Sequence, residues 1–458
     1  MSTTIQTDVP DVAQLNARID RLPQWGLSSF SYFTMGIGWF FVFYDITVIG
    51  FTLPALIQQF HLTGADIALP VSANLFAYVI GAYVLGSAAE YMGRRRALQI
   101  ALAIAGVGAI LTGLSWDLAS LTVFRGLTGL GMGAYISLAT TMLTELSAAK
   151  NRGRNVAYNM VLGALGLGGA GFIVLPLVAI GPIGWRVAFM VGALVLLLLP
   201  FMRDPWFPES PRWLVLHGRG KDAEDLVSRM EDTVQRRTQQ PLPTVVSVPA
   251  EQKMTEFPTW TLLRPPYLSR TIMVFLFWVI FYVWIYAYLS FGPTILIKAG
   301  LSTPHGLLFV AIGDGALPVG AVLAALLTDR IDRKYLIGIA LAVSLVGFAV
   351  LSLMGSTEAT VVIGGGLIAL GDLLGVGAAY TYTAEVFPTR ARASGMAIGD
   401  GLGHLGGAIQ PFIVLAALAA LGARPTLWIL GAFTLADMVL ILGAGMRTTG
   451  RHLTNLAQ

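Results

Sequence analysis

Apolar residues in this chain come in runs of about twenty, separated by short polar segments, which is the length at which a helix crosses a bilayer. Windows of about nineteen residues predict six membrane spans near 27–56, 66–89, 97–115, 118–146, 156–179 and 185–203. A second six follow near 269–297, 306–328, 335–354, 360–384, 394–420 and 425–446. Between the two sets, residues 209–264 form a polar loop with a charged segment, KDAEDLVSRMEDTVQRR, expected to be helical, and a linker, PLPTVVSVP.

The polar segments are not alike. Arg94–Arg96, the Lys150/Arg152/Arg154 group, Arg330 with Arg333 and Lys334, and Arg390 with Arg392 follow spans 2, 4, 8 and 10. With the central loop and both termini, one side of the membrane receives all but four of the 29 Lys and Arg residues. The exceptions are Arg125, Arg186, Lys298 and Arg424. Basic loops stay cytoplasmic, so both termini are expected there. The loops also repeat. GSAAEYMGRRRA after span 2 recurs as ALLTDRIDRKYL after span 8, and ELSAAKNRGR after span 4 recurs as EVFPTRARAS after span 10. Two independent motif pairs share an offset of about 240 residues, so the predicted fold is an all-α membrane protein. Its twelve transmembrane helices form two pseudo-symmetric six-helix halves. The expected organisation is a tail over 1–26, bundles over 27–208 and 265–446 around the 209–264 loop, and a tail over 447–458.

Composition sharpens this picture. Of 458 residues, 55% are hydrophobic and 12% charged, roughly half the charge of an ordinary soluble domain. The polar first 26 residues, followed by an overlong apolar run, lead us to expect no cleavable signal peptide. Without cysteine there is no disulfide or thiolate metal site. No nucleophile–base pair or metal-ligand spacing is present, so neither an enzyme, a cofactor nor a metal site is expected. The net charge of +4 reflects topogenic loops rather than a nucleic-acid surface.

These motifs resemble the major facilitator superfamily of transporters. Gly86, Glu90, Gly93, Arg94 and Arg95 fit its loop signature; RGLTGLGMG (Arg125–Gly133) and PESPRWL (Pro208–Leu214) resemble the sugar-porter and organic-ion branches. AEVFPTRARASG followed by LGGAIQP is similar to organic-ion, nicotinate-porter and synaptic-vesicle-like relatives. The sugar porters' polar helix 7 is replaced by FWVIFYVWIYAYLSFGPT, which points away from a hexose. The resemblance implies a secondary active transporter of a small organic solute, working by alternating access in a bacterial inner membrane as a proton-coupled symporter. Its partners are then the solute, protons and the lipid bilayer, with no nucleic acid; a monomer is expected.

Within that frame the intramembrane charges divide by task. Asp45 interrupts WFFVFYDITVIGF, at a cost of about 2.5–3.5 kcal/mol that should turn it towards the bundle interior. Arg125, seven residues into span 4, falls at similar depth, and the resemblance makes the two a proton-coupling pair; a purely structural ion pair is the other reading. Glu90, Arg94, Glu145 and Arg152, with their copies Asp329, Arg333, Glu385 and Arg392, can form ion pairs between cytoplasmic helix ends, which the resemblance makes a gating network; a solvated set of topogenic charges is the other reading. The loop signature carries Glu90-Tyr91 where Asp-Arg is usual, which should weaken the N-terminal copy. Tyr282 and Tyr286 on span 7, Asp314, Asp372, Tyr380 and His404 are the candidate substrate ligands. Tyr382 is a similar candidate; Asp400 is expected to be solvated and Asp437 to bond a neighbouring helix. In the organic-ion branch the position of His404 helps select substrate charge. An aromatic or organic acid of the nicotinate type is favoured, its carboxylate met by Arg125 and His404. A sugar, a polyol or an organic cation remains an alternative, as does a sensor without transport.

Overall fold

A computed structural model describes residues 12–245, 259–353, 357–387 and 391–448. Arg390, the end of the Pro/Val linker and most of the C-terminal tail lie outside the described residues. All regular structure among these residues is helical. In the first half the spans are Ser29–Phe60, Gly64–Met92, Arg94–Gly113, Leu118–Glu145, Arg152–Val178 and Gly184–Gly192, the last continued by a tighter 3-10 segment, Ala193–Phe201. The second half has Leu268–Lys298, Thr303–Asp314 with Leu317–Leu327, Arg333–Leu353, Glu358–Val386, then Arg392–Met396 running through a π-helical turn into Leu402–Ala420, and finally Ala423–Ala444. The chain therefore crosses the membrane as two sets of six.

Two spans depart from the expected uninterrupted helices. Span 8 breaks after Asp314, because Pro318 cannot supply a backbone N–H to the preceding turn. Span 11 widens into its π turn at Ala397–Gly401, a distortion that frequently marks functional sites.

Eleven of the described helices are long and apolar enough to span a membrane; Leu118–Glu145 is not among them. Its glycines and threonines serve packing instead. A Cβ on Gly129 would lie 2.0 Å from the Asn74 carbonyl, one on Gly133 2.0 Å from that of Tyr78, and one on Gly131 2.4 Å from the Ala105 nitrogen. Span 4 thus runs backbone against backbone along spans 2 and 3, the small-residue packing that membrane helices use in the absence of a hydrophobic drive.

On the cytoplasmic side the halves repeat their ion pairs residue for residue. Arg94 binds Glu90 at 2.8 Å and Glu145 at 3.4 Å; Arg333 binds Asp329 at 3.0 Å and Glu385 at 3.2 Å. Glu90 therefore makes the bond its aspartate copy makes, and the expected weakening of the N-terminal copy does not occur. Arg152 and Arg392 do not join these acids. Their Nε atoms donate to the Ser147 and Ala384 carbonyls, closing the loops that follow spans 4 and 10, and Arg152 also reaches Asp20 at 3.7 Å. The Arg94 pairs join residues of the first half, and the Arg333 pairs with Asp329 and Glu385 join residues of the second.

The halves meet towards the outer side. A Cβ on Gly50 (span 1) would lie 2.4 Å from the Leu289 carbonyl (span 7), and one on Gly168 (span 5) 2.6 Å from the Asp314 carbonyl (span 8). Gly50 and Leu289 are themselves related by the repeat offset, which places the pseudo-twofold axis at this contact.

Candidate functional site

Span 1 presents two different faces. Asp45 turns into the N-terminal half, where its Oδ2 accepts from Arg125 Nη1 at 2.7 Å. Both side chains are almost fully enclosed, at 5% and 1% exposure. Asn74 Nδ2 donates to the Arg125 carbonyl at 3.0 Å, and the guanidinium lies 5.2 Å from the centre of the Phe189 ring. Asp45 Oδ1 and Arg125 Nε have no hydrogen-bond partner. A small cavity between spans 1, 3, 4 and 6, bounded by Val42, Thr128, Met132 and Gly192, opens onto Asp45. The pair predicted from depth and the family resemblance therefore exists, with Asp45 Oδ1 and Arg125 Nε left unused among the described residues.

The opposite face of span 1 contributes Phe43 and Ile46 to a larger cavity between the halves, with a volume of about 60 Å³. Tyr282, Tyr286, Asp372, Tyr380 and His404 all line it, with Tyr78 from span 2. The rings form one cluster. His404 stacks on Tyr78 at 4.3 Å between centroids and lies 4.0 Å from Tyr282 and 5.8 Å from Tyr286; Tyr282 stacks on Tyr286 at 5.2 Å. On span 7 the cavity face is Phe281, Tyr282, Ile285, Tyr286 and Leu289, the 3–4 spacing of one helical stripe. Trp284 and Tyr288 turn away towards Phe348.

Three expectations change. Arg125 does not reach this cavity, because its guanidinium is committed to Asp45 on the far side of span 1. Asp314 does not line it either; the span 8 break buries it against spans 5 and 10, with Oδ1 unpartnered. Tyr382 points to the cytoplasmic end, where its hydroxyl accepts from Met446 N at 2.8 Å. Asp437, by contrast, is fully buried beside Trp284 of span 7, the neighbouring-helix contact expected, though the pair falls short of ideal hydrogen-bond geometry.

Asp400, expected to be simply solvated, is instead a hub. Its Oδ1 accepts from the Tyr282 hydroxyl and, at 3.1 Å, from that of Tyr380. His404 Nδ1 bonds the Asp400 carbonyl at 2.8 Å. One residue thereby joins spans 7, 10 and 11 below the ring cluster. The spacing of Asp400 and His404, four apart in a glycine-rich stretch, was the available signal. Glu209 of PESPRWL was also missed as a functional residue. It caps the helix of span 3, its Oε1 accepting from Arg94 N at 2.9 Å and Arg95 N at 3.1 Å. Gly93, at φ +95°, has no room for a Cβ, which would sit 2.3 Å from Glu209 Oε2.

Comparison with known proteins agrees with this architecture. A family model described as "Sugar (and other) transporter" matches residues 32–458. The niacin transporter NiaP of Acinetobacter baylyi is 27% identical, over 96% of this chain and 99% of that protein. The 4-hydroxybenzoate transporter PcaK of the same organism is 29% identical over 81% of this chain and 80% of its own. A putative metabolite transport protein of Bacillus subtilis, YyaJ, is 25% identical over 95% and 96%. Among solved structures, the xylose transporter XylE from E. coli, in a partially occluded inward open conformation, shares the fold. Its TM-score is 0.74 at 19% identity, covering 93% of this chain and 99% of that one. The chain is a multi-pass membrane transporter and not an enzyme, and it belongs to the sugar and other transporter family of the major facilitator superfamily.

Proposed function

We propose that this protein is a proton-coupled symporter of a small aromatic acid in a bacterial inner membrane. The observation that carries the substrate class is the ring cluster of Tyr78, Tyr282, Tyr286 and His404 at the interface of the halves, where a flat solute stacks between both bundles. Each half supplies part of the cluster, so binding favours the state in which the halves are closed around it. The relatives named for niacin and 4-hydroxybenzoate carry rings of that size. With Arg125 outside the cavity, and with the His404 Nδ1 hydrogen held by the Asp400 carbonyl, the carboxylate is met by the hydroxyls of Tyr78 and Tyr286.

Coupling rests on Asp45 and Arg125. Ionised, Asp45 holds spans 1 and 4 together; protonated, it releases Arg125 and frees the N-terminal half to move. The small cavity at Asp45 Oδ1 gives the proton a place to arrive without crossing the substrate site. The cytoplasmic arginine networks serve as gating elements, holding each half's helix ends as one body while the halves rock. An organic cation is the second reading, favoured by Asp372 on the cavity wall.

Purified protein in liposomes with an imposed inward proton gradient should accumulate labelled 6-hydroxynicotinate or 4-hydroxybenzoate, and collapse of the gradient should release it. Accumulation of a quaternary amine and not of either acid would replace the first reading by the second. Binding of the acids without any flux would remove the symporter.

A further inference from the structure

The hydrogens of the cavity wall are unevenly distributed. A tyrosine hydroxyl has one hydrogen to donate and two lone pairs to offer. Tyr282 and Tyr380 both commit that hydrogen to Asp400 Oδ1, so towards the cavity they present acceptor oxygens only. His404 follows the same pattern. A carbonyl can only accept, so Nδ1 carries the hydrogen that bonds the Asp400 carbonyl, and Nε2 of the neutral ring is an acceptor. Asp372 adds a further acceptor on the same wall. Tyr78 and Tyr286 differ. Among the described residues neither hydroxyl has a protein hydrogen-bond partner, and both remain able to donate or accept.

The cavity therefore has an acceptor end around Tyr282 and Tyr380 and an adaptable end around Tyr78 and Tyr286. An acceptor-only surface discriminates sharply, because a ligand that brings no hydrogen leaves those oxygens both desolvated and unpaired. We propose that Asp400 is a specificity-determining residue which, by taking the Tyr282 and Tyr380 hydrogens, makes the site select aromatic solutes bearing a donor, a phenolic O–H or a ring N–H, at the end facing these tyrosines. This rests on the aromatic-acid reading above for the other end of the ligand. The π turn at Ala397–Gly401 is the structural device: it swings Asp400 beneath both hydroxyls instead of along the regular helical stripe.

The test compares ligand pairs in which that hydrogen is replaced by a methyl group. Calorimetric binding to purified protein is measured for 4-hydroxybenzoate against 4-methoxybenzoate, and for the carboxylate-free pair phenol and anisole. The wild type should prefer each hydroxylated member by about tenfold or more, the range expected for an unpaired buried acceptor. In Asp400→Asn the amide nitrogen donates to one tyrosine oxygen, returning that hydroxyl's hydrogen to the cavity, and the preference should fall towards one. Equal binding within both pairs in the wild type, or an unchanged ratio in folded Asp400→Asn, overturns the proposal. Should Asp400→Asn not fold, Tyr380→Phe decides instead: it removes one acceptor and should reduce the preference severalfold, and an unaltered ratio counts against the proposal. A preference for phenol over anisole without binding of either benzoate refutes the acid reading and leaves the donor selection standing. No binding of any of the four refutes both.

Discussion

At the scale of single residues, burial decides which charges are available for work. Removing one member of a buried ion pair strands the other, at a cost of about 3–5 kcal/mol. A Asp45→Ala protein should therefore be recovered in low yield for reasons unrelated to coupling. Asp45→Asn leaves the Arg125 charge without its counter-ion but keeps a hydrogen-bond acceptor for Nη1, and should lose less. It should abolish accumulation driven by a proton gradient while leaving exchange of labelled for unlabelled substrate near the wild-type rate, as measured in liposomes. Undiminished accumulation in this variant would assign the pair a structural role only. Asp45 and Arg125 could be paired from sequence because both depths follow from counting along straight helices. Asp314 and Asp400 could not. One lies beside a helix break and the other in a π turn, and each irregularity rotates the side chain off the face that 3.6 residues per turn predicts.

At the scale of elements, the glycines of span 4 and the cytoplasmic helices show two kinds of adhesion. Gly129→Ala would place a methyl 2.0 Å from the Asn74 carbonyl. Two helix backbones would have to separate, and a loss of several kcal/mol is expected on the scale of overpacked cores. Gly169→Ala on span 5 meets nothing within 4 Å and should be neutral or gain up to about 1 kcal/mol. Thermal unfolding in detergent distinguishes the two, and similar melting temperatures would refute the close-contact account.

Below the membrane, the helix Val12–Asp20 docks on the loop helix Gly220–Thr238 through Arg18 and Arg21, both bound to Glu231, with Arg18 also on Glu224. The loop helix was readable from its charge pattern; the N-terminal one, nine residues in a polar tail, was not, because its docking partner lies over 200 residues away. Burial alone would raise the Glu231 carboxyl, but the hydrogen bonds from Arg18 and Arg21 outweigh it and hold the group below the ordinary carboxylate value. The Glu231 bonds in turn raise Arg18. A depressed carboxylate contributes stability that is complete above its unfolded value, about 4.3, and is lost as pH falls through the lower folded one. The N-terminal helix should thus stay docked at neutral pH and detach only as pH falls below the ordinary carboxylate range, and Glu231→Gln should loosen it at neutral pH. Hydrogen exchange over residues 12–20 reports both, and protection independent of pH and of Glu231 would show that the apolar contacts suffice.

At the scale of the whole molecule, the outer contacts between the halves are the ones that must break for the site to face outward. Gly50→Leu forces a side chain against the Leu289 carbonyl, 2.4 Å from the position of its Cβ, and should wedge this contact apart. A cysteine placed at Ile46 on the cavity wall should then react severalfold faster with an impermeant thiol reagent added outside. The chain has no cysteine of its own to confuse the reading. Equal labelling with and without Gly50→Leu would locate the outer closure elsewhere. Twelve spans, their two-fold repeat and the basic face were legible in the sequence, since each follows from hydropathy or offset along the chain; depth and the family resemblance together paired Asp45 with Arg125. Tertiary structure was needed to show that Arg125 is turned away from the cavity and that Asp400 spends the hydrogens of Tyr282 and Tyr380. It was also needed to show that Arg152 and Arg392 bond loop carbonyls rather than the neighbouring acids. Those facts depend on the rotation of helices about their axes and on irregular turns, which are set by packing between segments distant in the chain.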